Sequence, residues 1–171
     1  NTFIAAKGGN LGYSRYEADK VEVAKHILEK AEQLNVKIVL PVDVVASTEF
    51  SESAPCKNMD AYNIKAGYQA MDIGRKTCKL FAKEIKRAKT IVWNGPMGVF
   101  EFRKYQAGTK AVAKAIAKNN GISIVGGGDS AAAMEQLGFS DKITHISTGG
   151  GASLKFLEGA NLPGVSLLLD K

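Results

Sequence analysis

The sequence has little of what would mark a secreted, membrane-embedded or metal-stapled protein. Its 171 residues contain two cysteines, two histidines, four prolines and one tryptophan. Cys56 and Cys78 are too few for a disulfide framework and lack metal-ligand spacing, so both are expected to be packing or surface thiols. No apolar run approaches the ~20 residues that span a bilayer, and no signal peptide opens the chain, so no membrane partner and a cytoplasmic location are expected. The phosphate-loop sequence GxxxxGK[ST] and the protein-kinase catalytic loop are both missing, which excludes two large classes of phosphoryl-transfer enzyme. Acidic residues are the minority, 17 against 23 Lys and Arg, for a net charge of +6. The lysines are spread through helical stretches such as Lys76 to Lys89, without an RNA-binding aromatic signature or zinc-finger spacing. A solvated basic face that attracts anionic substrates is therefore expected, and no nucleic-acid partner. With 45% apolar residues, the chain is long enough for one sizeable core, and one domain is the default.

What the chain has in quantity is glycine, 18 residues, concentrated in three places. Ile122-Ser123-Ile124-Val125 is β-prone and runs into Gly126-Gly127-Gly128-Asp129-Ser130, after which Ala131 to Glu135 favours helix. A glycine turn at a helix start lets a bulky anion approach the unpaired N–H groups of the first turn, where the macrodipole adds about half a positive charge. Phosphate is the expected guest. Asp129 would repel it, and Mg²⁺ held between the two removes the conflict, since that ion binds through one or two carboxylates plus substrate phosphates. In the other reading, Asp129 and Ser130 only cap the helix and the glycines only turn the chain.

The same order of strand, glycine turn and helix occurs twice more. Thr90 to Trp93 runs into Asn94-Gly95-Pro96-Met97-Gly98-Val99-Phe100-Glu101, with a helix from about Gly108 to Lys118. Ile143 to Ser147 runs into Thr148-Gly149-Gly150-Gly151-Ala152-Ser153 and a short helix to about Leu157. In an α/β domain with a parallel sheet such turns share the carboxyl edge, where ligands bind. Three of them describe a phosphate-rich ligand better than three coincidental turns.

Elsewhere the pattern predicts structure. Thr2 to Lys7 reads as a short helix and Tyr16 to Leu34 as a long one, with His26 on its surface. Val36 to Leu40 reads as a buried parallel strand ended by Pro41, and Val42 to Ala46 as a second extended piece. Phe50 to Asn63 is polar and irregular and reads as a surface excursion. Trp93 ends a strand and is expected in the core, while His145, inside a strand run, is expected to be a hydrogen-bonded structural residue.

Trp93 to Glu101 (WNGPMGVFE), Gly126 to Ser130 (GGGDS) and His145 to Ser153 (HISTGGGAS) together resemble the C-terminal, nucleotide-binding domain of the phosphoglycerate kinase family. Leu40 to Val45 (LPVDVV), Gly108 to Ala117 (GTKAVAKAIA) and Leu157 to Val165 (LEGANLPGV) extend the likeness over nearly the whole chain. The resemblance implies a Rossmann-like three-layer α/β/α domain with a mainly parallel sheet, incomplete at its N-terminal end, so that residues 1–171 are part of that domain. It implies phosphoryl transfer between 1,3-bisphosphoglycerate and ADP, giving 3-phosphoglycerate and ATP, with Mg²⁺ as cofactor. It assigns Asp129 to the metal and Gly127, Gly128 and Ser130 to the nucleotide phosphates, by backbone or hydroxyl donation. Gly149, Gly150 and Gly151 would face the moving phosphoryl group. Asn94, Gly95 and Pro96 form a stiff turn beside the nucleotide, Val99 and Phe100 an apolar wall for the base, and Glu101 an acceptor for ribose hydroxyls. Ala70 and Met71 stand in the segment that lines the family's adenine pocket, where Tyr68, Ala70, Met71 and Arg75 depart from the usual residues. The family's phosphoglycerate-binding domain and its phosphate-binding lysines lie upstream of Asn1, so the fragment alone is expected to be inactive and the full-length protein monomeric. Two other classes share parts of this grammar: another α/β enzyme, such as a nucleotide-sugar transferase, and a non-catalytic interaction module.

Overall fold

A computed structural model describes residues 1–168. Along the chain, α1 (Thr2–Ala6) leads to β1 (Asn10–Leu11) and, past a 3-10 turn, to α2 (Val21–Gln33). Four strands follow: β2 (Asp43–Ser47), β3 (Cys56–Asp60), β4 (Asn63–Ile64) and β5 (Gln69–Ile73). Helices and strands then alternate through α3 (Arg75–Arg87), β6 (Thr90–Asn94), α4 (Ala107–Ala117), β7 (Ile122–Gly126), α5 (Gly128–Gln136), β8 (His145–Ser147), α6 (Gly150–Leu157) and α7 (Pro163–Ser166). The fold is α/β. Its residues gather into two compact units, Asn1–Lys83 with Met97–Val112, and Glu84–Pro96 with the chain from Ala113 on.

The first unit holds an antiparallel sheet in the order β3-β2-β5, irregular between Val45 and Ala46, and a short parallel pair of β1 with β4. Val44 and Ala46 of β2 join Ile4, Leu11, Ala61 and Ile64 in one buried apolar cluster. Two sequence expectations change here. Val36 to Leu40 forms no strand: α2 ends with Asn35 at φ 53° and the Val36 N–H donating to the Ala31 carbonyl (2.7 Å), and the run continues without a neighbouring strand. An apolar run becomes a ladder only when another strand lies beside it. Conversely, the polar stretch after Phe50 contains β3, an edge strand whose side chains do not alternate cleanly; its pairing with β2 makes it a strand.

The second unit is built on a parallel sheet in the order β6-β7-β8. Ile91, Trp93 and Val125 are buried, as expected for Trp93, whereas the alternate Val92 is 42% exposed. The Asn119 side-chain amide donates to the carbonyls of Ile85 and Ala88 (2.7 and 3.0 Å) and satisfies the end of α3. Ser130, Ala133 and Met134 form the buried side of α5.

Candidate functional site

Strand register brings the beginnings of the three glycine turns to one edge of the second unit's sheet. Asn94 lies opposite Gly126, and Gly126 opposite Ser147, so the carboxyl ends of β6, β7 and β8 are side by side. Gly127 leaves β7 at φ +96°, a conformation L side chains rarely adopt. Helix α5 starts at Gly128, one to two residues before the predicted cap, with Gly127 as N-cap and no side-chain capping bond. Asp129 therefore sits in the first turn with its carboxylate exposed and not engaged as a cap. Helix α6 begins in the same manner, with Gly149 as N-cap and no side-chain capping bond, followed by Gly150 and Gly151. The two starts touch: a Cβ at Gly150 would lie 2.5 Å from the Gly127 Cα and 2.7 Å from its nitrogen. In both helices the first-turn N–H groups precede the first helical hydrogen bond, Ala131 to Gly127 and Ser153 to Gly149 (3.0 Å each). Two positive dipole ends on adjacent strands favour an anion with several charged oxygens.

Two of the assigned groups already take part in hydrogen bonds within the protein, while the Ser130 N–H precedes the first helical bond. The Gly127 N–H already donates to the Ser147 carbonyl (3.0 Å), extending the ladder by one bond. Gly127 can contribute its turn and its closeness to Gly150, but not that N–H. The Ser130 hydroxyl, 1% exposed, accepts from the Gly95 N–H at 2.6 Å. It ties the turn after β6 to the start of α5 and is buried away from solvent. Asn94 leans over Gly127, where a Cβ would meet its Oδ1 at 2.8 Å. Among the described residues no group of three or more His, Cys, Asp or Glu is placed to hold a metal. A cation at Asp129 would thus share one carboxylate with ligand oxygens and water, the coordination Mg²⁺ accepts.

The first unit gathers the other predicted residues. Val99 donates its N–H to the Met71 carbonyl (2.9 Å), Phe100 to the Gly98 carbonyl (2.8 Å), and Met97 to the Thr109 hydroxyl (3.1 Å). Ala70, Met71, Val99, Phe100 and Glu101 are thereby brought together. Their exposures differ from expectation: Met71 at 1% and Phe100 at 6% are core side chains, because β5 and the 97–101 turn pack inward. Phe100 thus presents no free apolar wall. Ala70 and Val99 are half-buried, and Glu101 is exposed. Asn94, Gly95 and Pro96 belong to the second unit. His145 is a further correction: it opens the edge strand β8 and is exposed. His26 is a surface residue as expected, 3.9 Å from Glu29. Both cysteines are free.

Two carboxylates of the first unit escaped the sequence reading. Asp43 accepts from the N–H groups of Lys76 (3.0 Å) and Thr77 (2.7 Å) and from the Thr77 hydroxyl (2.6 Å). Burial works to raise its pKa, but these bonds and the Lys76 charge outweigh burial and hold it below the ordinary carboxylate range. Asp72 accepts from Gly108 (2.7 Å) and from Ile73 (2.8 Å). Here burial wins over the two bonds, and the pKa rises to about 6. The available signal was an acidic residue set inside an apolar run, Val42-Asp43-Val44 and Met71-Asp72-Ile73.

Comparison with known proteins gives the family of the chain. The family model for phosphoglycerate kinase matches residues 1–160. The chain is 56% identical over 170 residues to a phosphoglycerate kinase of Clostridium tetani, covering 99% of this chain and 42% of that protein. It is likewise 56% identical to one of Clostridium kluyveri, covering 99% of this chain and 43% of the relative. The solved structure of phosphoglycerate kinase from Coxiella burnetii superposes with a TM-score of 0.93 at 42% identity, over 97% of this chain and 43% of that one. The enzyme from Pyrococcus horikoshii superposes with a TM-score of 0.79 at 35% identity, over 97% of this chain and 42% of the other. The chain thus spans less than half the length of the relatives it matches, and across nearly all of its own length it belongs to the phosphoglycerate kinase family.

Proposed function

We propose that the paired helix starts of the second unit bind the phosphates of ADP and ATP. The protein that carries this chain transfers a phosphoryl group between 1,3-bisphosphoglycerate and ADP, giving 3-phosphoglycerate and ATP. The observation that carries this reading is the contact of Gly127 with Gly150, which sets two uncapped helix N-termini side by side with Asp129 exposed in the first turn of α5.

A carboxyl phosphate is a reactive mixed anhydride, so the reaction needs little acid–base chemistry; rate comes from positioning and from neutralising charge on the migrating group. First-turn N–H groups of α5, from Gly128 on, hold the nucleotide phosphates. Those of Gly150 and Gly151 face the oxygens of the transferring phosphoryl group, as preorganised donors do in an oxyanion site. Gly149 supplies the turn that lets them do so. Bound Mg²⁺ would supply charge neutralisation and orientation of the nucleotide phosphates, and the exposed Asp129 carboxylate is the group that would hold it. Asn94, Gly95 and Pro96 keep the neighbouring turn in register through the Gly95–Ser130 bond. Ala70, Val99 and Glu101 supply contacts to base and ribose, with Met71 and Phe100 supporting them from the core. The same reading takes the phosphoglycerates as substrates of another part of the protein, and the full-length enzyme as a cytoplasmic monomer that works in glycolysis. No helix among the described residues is long and apolar enough to cross a membrane.

Asp129→Asn in the full-length protein tests the metal assignment. Calorimetry should show that Mg²⁺ no longer strengthens ADP binding, and turnover should fall by about 10²–10³. An unchanged Mg²⁺ dependence would overturn it.

A further inference from the structure

Asp72 lies at the middle of a contact that nucleotide chemistry does not explain. It is 3% exposed on β5, directly after Met71. Its Oδ2 accepts from the Gly108 N–H at the start of α4, while Oδ1 accepts from the Ile73 N–H. Both approaching backbones must be glycine: a Cβ at Gly108 would lie 2.1 Å, and one at Gly98 2.6 Å, from Asp72 Oδ1. Gly98 is followed by Val99, Phe100 and Glu101, and the Val99 N–H is bonded to the Met71 carbonyl (2.9 Å). One buried carboxylate therefore seats the first turn of α4 on β5, and the 98–101 turn packs against the same carboxylate through Gly98.

We infer that Asp72 is a positioning residue for nucleotide recognition: by holding the start of α4 on β5, where the Thr109 hydroxyl accepts the Met97 N–H (3.1 Å), and by packing on Gly98, it sets the 98–101 turn against β5, and so the placement of Ala70, Val99 and Glu101 around base and ribose. The inference rests on the proposed nucleotide site and deepens it. The acid acts through backbone, since it is enclosed by the residues it orders. Replacing it with the isosteric amide would keep the shape but turn the acceptor of the Gly108 N–H into a donor facing it, which pushes the start of α4 away, and with it Thr109, whose hydroxyl holds the Met97 N–H at the entry to the turn. The same loosening follows in the wild type when Asp72 takes a proton. The titratable group that feels its charge is the Cys78 thiol of α3, which burial first and then Asp72 and Asp43 push up to about 11; Gly98 and Gly108 bring only backbone.

The test is steady-state kinetics of Asp72→Asn in the full-length protein, with circular dichroism as the check on folding. The KM for ADP should rise about tenfold, the loss expected when a buried N–H faces a donor, while the KM for the bisphosphoglycerate and kcat at saturating ADP stay within about twofold. Equal losses in both KM values and kcat, or none, would overturn the inference. Should the variant not fold, adenosine binding to the wild type serves instead, because its base and ribose carry no group that titrates near neutrality. Affinity should drop several-fold as pH falls through about 6, and a flat profile would overturn it. If neither ADP nor adenosine binds the wild type at all, the nucleotide reading itself fails, which is a different result.

Discussion

Two pairs of helices, one in each unit, start in opposite ways. In the first unit strand-borne carboxylates close α3 and α4: Asp43 takes the N–H groups of Lys76 and Thr77 on α3, and Asp72 takes that of Gly108 on α4. In the second, glycines begin the helices: Gly127 and Gly149 are the N-caps of α5 and α6, and neither helix has a side-chain cap. A helix start whose N–H groups are bonded to a protein carboxylate has nothing to offer a phosphate. One whose cap is glycine keeps its donors and its partial positive charge for a ligand. The difference separates stability from function within one chain: closed starts hold a unit together, and open ones are available for binding.

The sharpest way to break this contrast is to close an open start. Gly150→Val puts side-chain atoms against the Gly127 backbone, neither side of which can yield. Turnover of the full-length enzyme should fall by about 10²–10³, as when a preorganised donor is lost; an unaffected kcat would show that the two starts need not touch.

The second comparison is electrostatic. Asp72 is raised from 3.8 to about 6 and thus destabilises the folded protein once ionised. The wild type holds more protons folded than unfolded between those values, so its stability falls as pH rises through this window. Asp72→Asn removes that slope. Chemical denaturation should therefore show the variant gaining on the wild type by up to about 3 kcal/mol between pH ~4 and ~6, and holding that difference above.

Asp43 has the opposite sign. Its lowered pKa contributes stability that is present above the unfolded value and lost as pH falls below it. Asp43→Ala leaves the α3 N–H groups without their acceptor and should lower stability by about 2 kcal/mol at neutral pH, with ADP affinity unchanged in calorimetry. A loss of ADP affinity would show that the start of α3, like that of α4, also shapes the site.

The smallest effect is expected at the link between turns. Ser130→Ala removes the acceptor of the Gly95 N–H, which should cost about 1 kcal/mol in thermal unfolding. ADP affinity should weaken only a few-fold, since the Ser130 hydroxyl is buried rather than aimed at ligand.

Much of the second unit was legible in the chain. A β-prone run, a glycine turn and a helix former recur three times, and all three appear as strand, turn and helix on one edge. The Gly126 to Ser130 segment shows where such reading stops. Its glycines announce a turn, but that Gly127 spends its N–H on the Ser147 carbonyl depends on a strand about twenty positions along. The Ser130 hydroxyl likewise finds its donor, Gly95, 35 residues away. Phe100 read as a wall, and Met71 as either pocket lining or core; packing turned both inward. Val36 to Leu40 had the composition of a strand and lacked a neighbour, while Cys56 to Asp60 had a neighbour without the composition.

The sequence by itself determined where backbone would be bare, where anions could approach and which family the motifs resemble, because these depend on residue type over a few adjacent positions. Only the tertiary structure decided which N–H groups remain free and which carboxylates are enclosed. Asp43, Asp72 and Asp129 are the same chemical group near a helix start; long-range pairing made one a low-pKa clasp, one a buried tie and one an exposed ligand. The physical reason is that hydrogen bonds and desolvation are set by neighbours distant in sequence, and those neighbours exist only once the strands have paired.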